Sequence, residues 1–597
     1  MNKFKNISLA ACVALLSFTS CNDFLDTTPD TRVYLTTVDQ LRQLLITGYS
    51  STSYTTVCEL STDNVVDNNS PSADGTRENL PSYSPADDQL FAFDAVTMSI
   101  DNDSPSGVWN GCYGAIATAN AVLEKAEEFE QKGADANGTL TADAKARLDA
   151  VKGEAYMIRA YHYFLLSNVF CLPYRGPELS KTIDGIPYIT KPETEVNPKY
   201  DDRGNLADVY ANIEKDLEMG LKLVSDDFYD SPKYHFNKAA ANAFAARFYL
   251  FKRDYPKVVE YATAAFKGND PATICSDIWN KKDFYYISDI GRYFTSSERS
   301  NNMLIMSYYT SWWRRLVQSP RYACNRDAKR ATVQGPGPSW EGITYTNTKT
   351  NEEFSMNPCF ASVCGSSGSS DYGIFFAPNA FEQFEFTDKL AGIGYVHGVR
   401  AEFTTEETLL CRAEAYLFMG EIDKAMEDLK IFDGAMQKNP NSTPDRYRPM
   451  TRELVERFYS LEGSKRTGGR AYGIMKPIHI DQVCPNAQYH VTAEILPYLQ
   501  CVQHFRRIWT VHTGQRWFDI RRFGLSVTHN IGIKGSKTIG VTADGDDWFM
   551  DARYAIQIPT EILAAGMKPT PREPLKLTTN LPEQRVSKDV VPADDVK

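Results

Sequence analysis

Past its first 20 residues this chain of 597 has no run of 18 uninterrupted apolar residues, no C-x-x-C pair and only eight histidines. The first absence excludes a later membrane-spanning helix, which needs about 20 apolar residues. The other two exclude the usual metal-ligand spacings: once Cys12 and Cys21 are set aside, the closest cysteines are Cys359 and Cys364. A disulfide between other cysteines stays open, whereas Cys411, in an apolar helix, reads as a buried thiol. His504 and His512 lie among arginines and read as structural. H-E-x-x-H, G-x-S-x-G and the P-loop are all missing, and Gly365-Ser366-Ser367-Gly368 has the spacing of a flexible loop, not of a nucleophile elbow. No catalytic residue, metal or cofactor is expected, although a carboxylate pair acting on a glycoside would leave no linear signature. A basic excess is lacking too: 64 Lys and Arg face 76 Asp and Glu, for a net charge of −12. That balance argues against a nucleic-acid partner.

What is present is the composition of a folded protein, 42% hydrophobic and 23% charged. The length exceeds a simple single core, though a large helical array could use it all. Tyrosine (33) and phenylalanine (31) are abundant, and can fill a core or supply flat surfaces to a ligand.

Residues 1–20 carry Lys3 and Lys5, then ISLAACVALLSFT, then small residues up to Cys21. This is the layout of a secretory signal, and its apolar run of about 13 residues is too short to span a bilayer. L-S-F-T-S-C before the acidic turn of Asp23 and Asp26 makes Cys21 a lipid attachment point, with Phe18 at the position where a bacterial lipobox has leucine. Acyl chains on Cys21 would tether the protein to a membrane, at about 0.8 kcal/mol per buried CH₂.

Four stretches predict helices: 109–131, 142–170, 237–266 and 404–432. The second is apolar almost all round at its end, as a helix buried among others is. The third and fourth share a plan: small residues on one face, a tyrosine (Tyr249, Tyr416), a breaker, then Val258 or Ala425 nine residues on. This is the spacing of tetratricopeptide-like helix pairs. The fold class is therefore all-α dominated, with long irregular loops over 51–108, 171–205 and 268–403 and minor short strands. Residues 568–597 hold five prolines and many charges and predict an extended tail.

Taken in order, DFLDTTPD after Cys21, LRQLLITGYS (41–50), WNGCYGAIATANAVLE, GEAYMIRAYHYFLLSNVFCLPYRG, the two hairpins, GQRWFDIRRFG (514–524) and YAIQIPTEI (554–562) resemble the SusD/RagB family of Bacteroidetes outer-membrane nutrient-binding lipoproteins. Thr513 departs from it, standing where the family usually has Glu, which puts a local salt bridge in doubt. The resemblance implies a signal peptide over 1–20, a SusD-like nutrient-binding domain over 21–570 with four tetratricopeptide-like helix pairs, and a tail over 571–597. It also implies a surface-exposed, lipid-anchored protein without catalytic residues. Such a protein captures a glycan, or else a peptide, and passes it to a SusC-like TonB-dependent barrel. A peptide-gripping or scaffolding lipoprotein of the same fold is the alternative.

The ligand residues occupy no motif that can be aligned, so candidates rest on side-chain chemistry. A pyranose packs its C–H face on an aromatic ring and its hydroxyls against charged or amide groups. SYYTSWWRRL (307–316) offers Tyr308, Tyr309, Trp312 and Trp313 as plates and Arg314 and Arg315 as donors, with Tyr308 and Trp312 brought together by strand alternation or by helical i,i+4 spacing. Trp340, Tyr372 and Phe375, and Tyr83 with Asn79 and Arg77, form a second tier. GQRWFDIRRFG reads as packing: Trp517 and Ile520 share a side, and Arg516 or Arg522 pairs with a nearby carboxylate.

Overall fold

The computed structural model describes residues 35–71, 79–97, 101–193, 202–275, 287–316, 321–325, 328, 335–340, 344–346, 353–355, 379–437, 448–460, 475–533 and 535–577. Cys21 and the signal, Arg77, Tyr372, Phe375 and the end of the tail lie outside the described residues. Helices dominate, as the periodicity predicts.

Helix Pro105–Lys132 starts on Ser104, whose hydroxyl accepts from the Gly107 amide, and ends at Gly133 in the left-handed region. Helix Ala142–Phe170 starts on the Thr141 cap and is buried on nearly every side from Leu148 onward. Pro105–Lys132 and Leu206–Leu223 both pack against it.

Both expected hairpins form. Asn237 caps Lys238–Lys252, Arg253 breaks the helix with a φ of 58°, and Asp254 caps Tyr255–Ala265. Tyr249 is buried between the two helices and stacks on Tyr261 at 5.4 Å. Thr404 caps Thr405–Phe418, Gly420 turns the chain with a φ of 77°, and Ile422–Gln437 follows. Tyr416 is only half-buried, because the facing position holds Lys424, whose ammonium lies 5.4 Å from the ring centre. The hairpins pack on each other despite the long insertion between them, and Tyr255 stacks on Phe418 at 4.6 Å.

That insertion carries more regular structure than short strands. Asn302–Tyr309, Ile393–Thr404 and Ala380–Asp388 form an antiparallel sheet with Ile393–Thr404 in the middle. The first strand ends at Tyr309, and a separate short helix, Trp312–Leu316, begins beyond Thr310 and Ser311. Tyr308 and Trp312 therefore share neither a strand face nor a helix face. The fold also continues past 570: Leu575–Leu577 pairs with Asp547–Met550, Leu577 is buried, and Arg572 donates to the carbonyls of Ala552 and Ala555. The start of the expected tail thus belongs to the folded body.

GQRWFDIRRFG forms helix Gln515–Phe523, buried along its whole length. Gly514 enters it with a φ of 79°, and a side chain there would meet the Cα of Thr55 at 3.0 Å. The uncharged Thr513 makes no ion pair; Glu59 instead accepts the amides of His512 and Gly514, each at 3.0 Å. Burial pushes the Glu59 carboxyl up to about 7.

Most arginines of this region are locked to buried carboxylates, several of them distant in sequence. Arg516 makes two bonds of 2.9 Å to Asp63, with Lys476 at 3.0 Å and Arg507 at 3.5 Å from the same group. Arg506 and Arg522 flank Asp519, and Arg522 reaches on to Glu414. Arg247 and Arg400 bracket Glu402, and Arg247 also binds Glu407. Burial works to raise the Asp63 carboxyl, but Arg507, Arg516 and Lys476 outweigh it and hold it well below the ordinary range.

Asp63→Asn removes the shared anion from three buried cations, and urea unfolding at pH 7 should show a loss of about 3–5 kcal/mol. The depressed folded-state pKa means that Asp63 stabilises the fold above the ordinary Asp range and loses that contribution as pH falls. The variant should therefore lose less stability on acidification than the native chain.

Candidate functional site

The two long loop regions meet around a buried carboxylate. Asp103 accepts from the hydroxyls of Thr56 (3.2 Å) and Thr310 (2.8 Å) and from the amide and hydroxyl of Ser311 (2.6 and 2.9 Å). Arg315, itself buried, donates to Asp87 at 3.0 Å, to the Asp103 carbonyl at 3.3 Å and to Asp101 at 2.7 Å. Its guanidinium lies 4.9 Å from the centre of the Tyr83 ring. Chain from the first loop region and the 307–316 stretch are thereby joined into one surface. Burial, against the pull of Arg315, pushes the Asp87 carboxyl up to about 7 and raises Asp103 as well.

On this frame some aromatics are open. Tyr83 is 53% exposed and Tyr309 38%, and Tyr309 packs edge-on against the half-buried Tyr395 at 4.9 Å. The Asp101 side chain is 39% exposed. Ring faces beside a carboxylate suit a ligand with apolar C–H patches and hydroxyl groups.

The other candidates divide by burial. Trp312 is fully buried and stacks on His512 at 6.1 Å. Tyr308 is buried with the Arg400 guanidinium 5.3 Å from its ring centre. Trp340 is buried on Phe505, its indole N–H donating to the Gly335 carbonyl at 2.8 Å. These three pack the interior in this structure. Arg315 acts likewise as an internal clamp. Asn79 is exposed on its loop. The backbones of Trp313 and Arg314 lie in the Trp312–Leu316 helix, and their side chains are outside the described residues. Sequence reasoning missed Tyr395, Asp101 and Asp103. Tyr395 lies at the outer end of a strand hidden inside an apparently irregular region, and the aspartates sit in a run, DND, that looks like a solvated turn.

Among the described residues no group of three or more His, Cys, Asp or Glu is placed to hold a metal, no helix is long and apolar enough to cross a membrane, and all eight cysteines are free thiols.

A body of paired helices that carries its open aromatic rings on inserted loops defines a ligand-binding scaffold. Residues 23–250 match a SusD-like family model described as starch-binding and associating with the outer membrane. SusD-like protein P2 of Formosa agariphila is 29% identical over 168 residues, so the match spans only 28% of that relative's length and 28% of this chain. A SusD superfamily protein of Bacteroides vulgatus has the same fold, with a TM-score of 0.53 at 16% identity, covering 90% of this chain and 99% of the other. Another, from Bacteroides thetaiotaomicron, gives 0.50 at 16% identity, covering 90% and 100%. Over residues 23–250 the chain is thus similar to the SusD-like family, and over 90% of its length it shares the fold of SusD superfamily structures.

Packing and display residues should separate in a stability assay. Trp312→Ala is expected to cost about 3–5 kcal/mol on denaturant unfolding, while Tyr83→Ala should change stability by about 0.5 kcal/mol or less.

Proposed function

We propose that this protein binds a glycan at the cell surface without cleaving it and delivers it to a SusC-like TonB-dependent outer-membrane transporter. Tyr83, Tyr309 and Tyr395 are the sugar plates, Asp101 accepts from sugar hydroxyls, and Trp313, Arg314 and Asn79 are further candidates for ligand contact by their chemistry. The observation that carries this reading is the exposure of Tyr83 on its loop and of Tyr309 at the end of its strand, on segments joined by the Arg315–Asp103 clamp. Preorganised rings lower the ordering cost of a weak, extended contact with a chain of sugars. The family's description as starch-binding and outer-membrane-associating supports the same ligand class and location. Residues 1–20 are the removed signal in this reading, and Cys21, acylated, is the anchor.

Isothermal titration against a panel of soluble polysaccharides, starch first, should give saturable binding with no product released. Tyr83→Ala and Tyr309→Ala should each weaken it several-fold, since one aromatic stack contributes about 0.5–1.5 kcal/mol. Full affinity in both variants would discard this site, and released oligosaccharide would discard the non-catalytic reading. Cys21→Ser should move the folded protein out of the membrane fraction; unchanged fractionation would discard the anchor.

A further inference from the structure

Arg521 is a buried cation that meets no carboxylate among the described residues. Arg521 is 1% exposed, and its guanidinium donates to the backbone carbonyls of Asn168 and Cys171. Among the described residues it makes no ion pair, and its Nε has no hydrogen-bond partner. Arg253 is matched with Asp481, Arg522 with Glu414 and Asp519, Arg506 with Asp519 and Arg516 with Asp63. Arg175 and Arg203 are buried without an ion pair too, but their Nε atoms donate to the carbonyls of Val483 and Gly185, whereas that of Arg521 does not. Arg521 also lines an internal cavity, with Tyr174, Phe251, Phe518, Arg253 and Arg522 among its neighbours.

A guanidinium cannot shed its proton to escape burial. The neighbouring acids do not supply the missing charge either. Burial raises the Cys171 thiol, the Tyr210 phenol and, to about 11, the Cys484 thiol, so all three stay neutral at physiological pH. Burial pulls Arg521 itself down to about 10, which leaves it charged. An unmatched charge in a water-poor interior costs several kcal/mol; the two carbonyls offset part of that, and a bound counter-ion at the free Nε would offset more. The cavity has room for roughly one water-sized guest, too little for sulfate, phosphate or a sugar acid.

We infer that this cavity is a binding site for a single halide ion, chloride under ordinary conditions, held by the unpartnered Nε of Arg521 and walled by Tyr174, Phe251 and Phe518. Its role is to neutralise Arg521 where the Gln515–Phe523 helix crosses the end of Ala142–Phe170. It is independent of the glycan reading.

Crystals of the full mature chain, grown free of halide and soaked in sodium bromide, test this at the bromine absorption edge. An anomalous peak in the cavity within hydrogen-bond range of Arg521 is expected; density without anomalous signal there would mean water and would overturn the site. In solution, Tm should be several degrees higher in sodium chloride than in sodium gluconate at equal ionic strength, which matches screening. Equal values in the two salts would also overturn it. Arg521→Gln should abolish the difference, and a difference that persists in the variant would place the halide elsewhere. Should that variant fail to fold, the bromide peak and the salt comparison on the native chain decide.

Discussion

The interior of this protein is held together by charges that water cannot reach. Asp63 gathers Arg516, Arg507 and Lys476; Asp519 gathers Arg506 and Arg522; Glu402 gathers Arg247 and Arg400. Asp63 with Arg516, Glu402 with Arg247 and Glu414 with Arg522 join segments far apart in sequence, so these pairs clamp the start, the middle and the end of the chain on one another. Apolar packing would drive the helices together anyway. Buried pairs add a demand for register, because a helix displaced by one turn would strand a charge at a cost of several kcal/mol.

That demand is what frees the loops to vary. A body pinned from within can carry long insertions on its outside without losing its core, since lengthening a loop adds little closure entropy. The insertion between the two hairpins follows this logic: it leaves the first hairpin, builds its own sheet, and returns through Thr404, which ends a strand and caps the next helix at once. The same economy recurs at the display surface. Arg315 and Asp103 are buried and joined, while Tyr83, whose ring the Arg315 guanidinium faces, and Tyr309 stay open.

Much of the helical body was legible from the amino acids alone. Thr141, Asn237 and Thr404 cap their helices as their side chains predict, and the all-round apolar end of Ala142–Phe170 foretold its burial. The buried role of GQRWFDIRRFG was legible too, because four charges beside Trp517 and Phe518 need partners wherever they go. The partners themselves were not. Nothing local marks Asp63 or Glu414 as the acid that Arg516 or Arg522 will meet. The surface was harder still. Tyr308 and Tyr309 are adjacent, yet the strand turns one inward and the other outward, and only the sheet register decides which. Trp312 looked like the best plate, but a large ring is as valuable inside as outside, and position alone separates the two uses.

The central claim is that a rigid, ion-locked helical body holds a ligand on its inserted loops without itself rearranging. Hydrogen–deuterium exchange on the full chain, with and without a polysaccharide that binds, tests it most directly. The account predicts new protection over residues 79–103, 307–316 and 393–398 and no change in Ala142–Phe170, Lys238–Lys252 or Thr405–Phe418. Protection that appeared in those helices while the loops exchanged as before would contradict it.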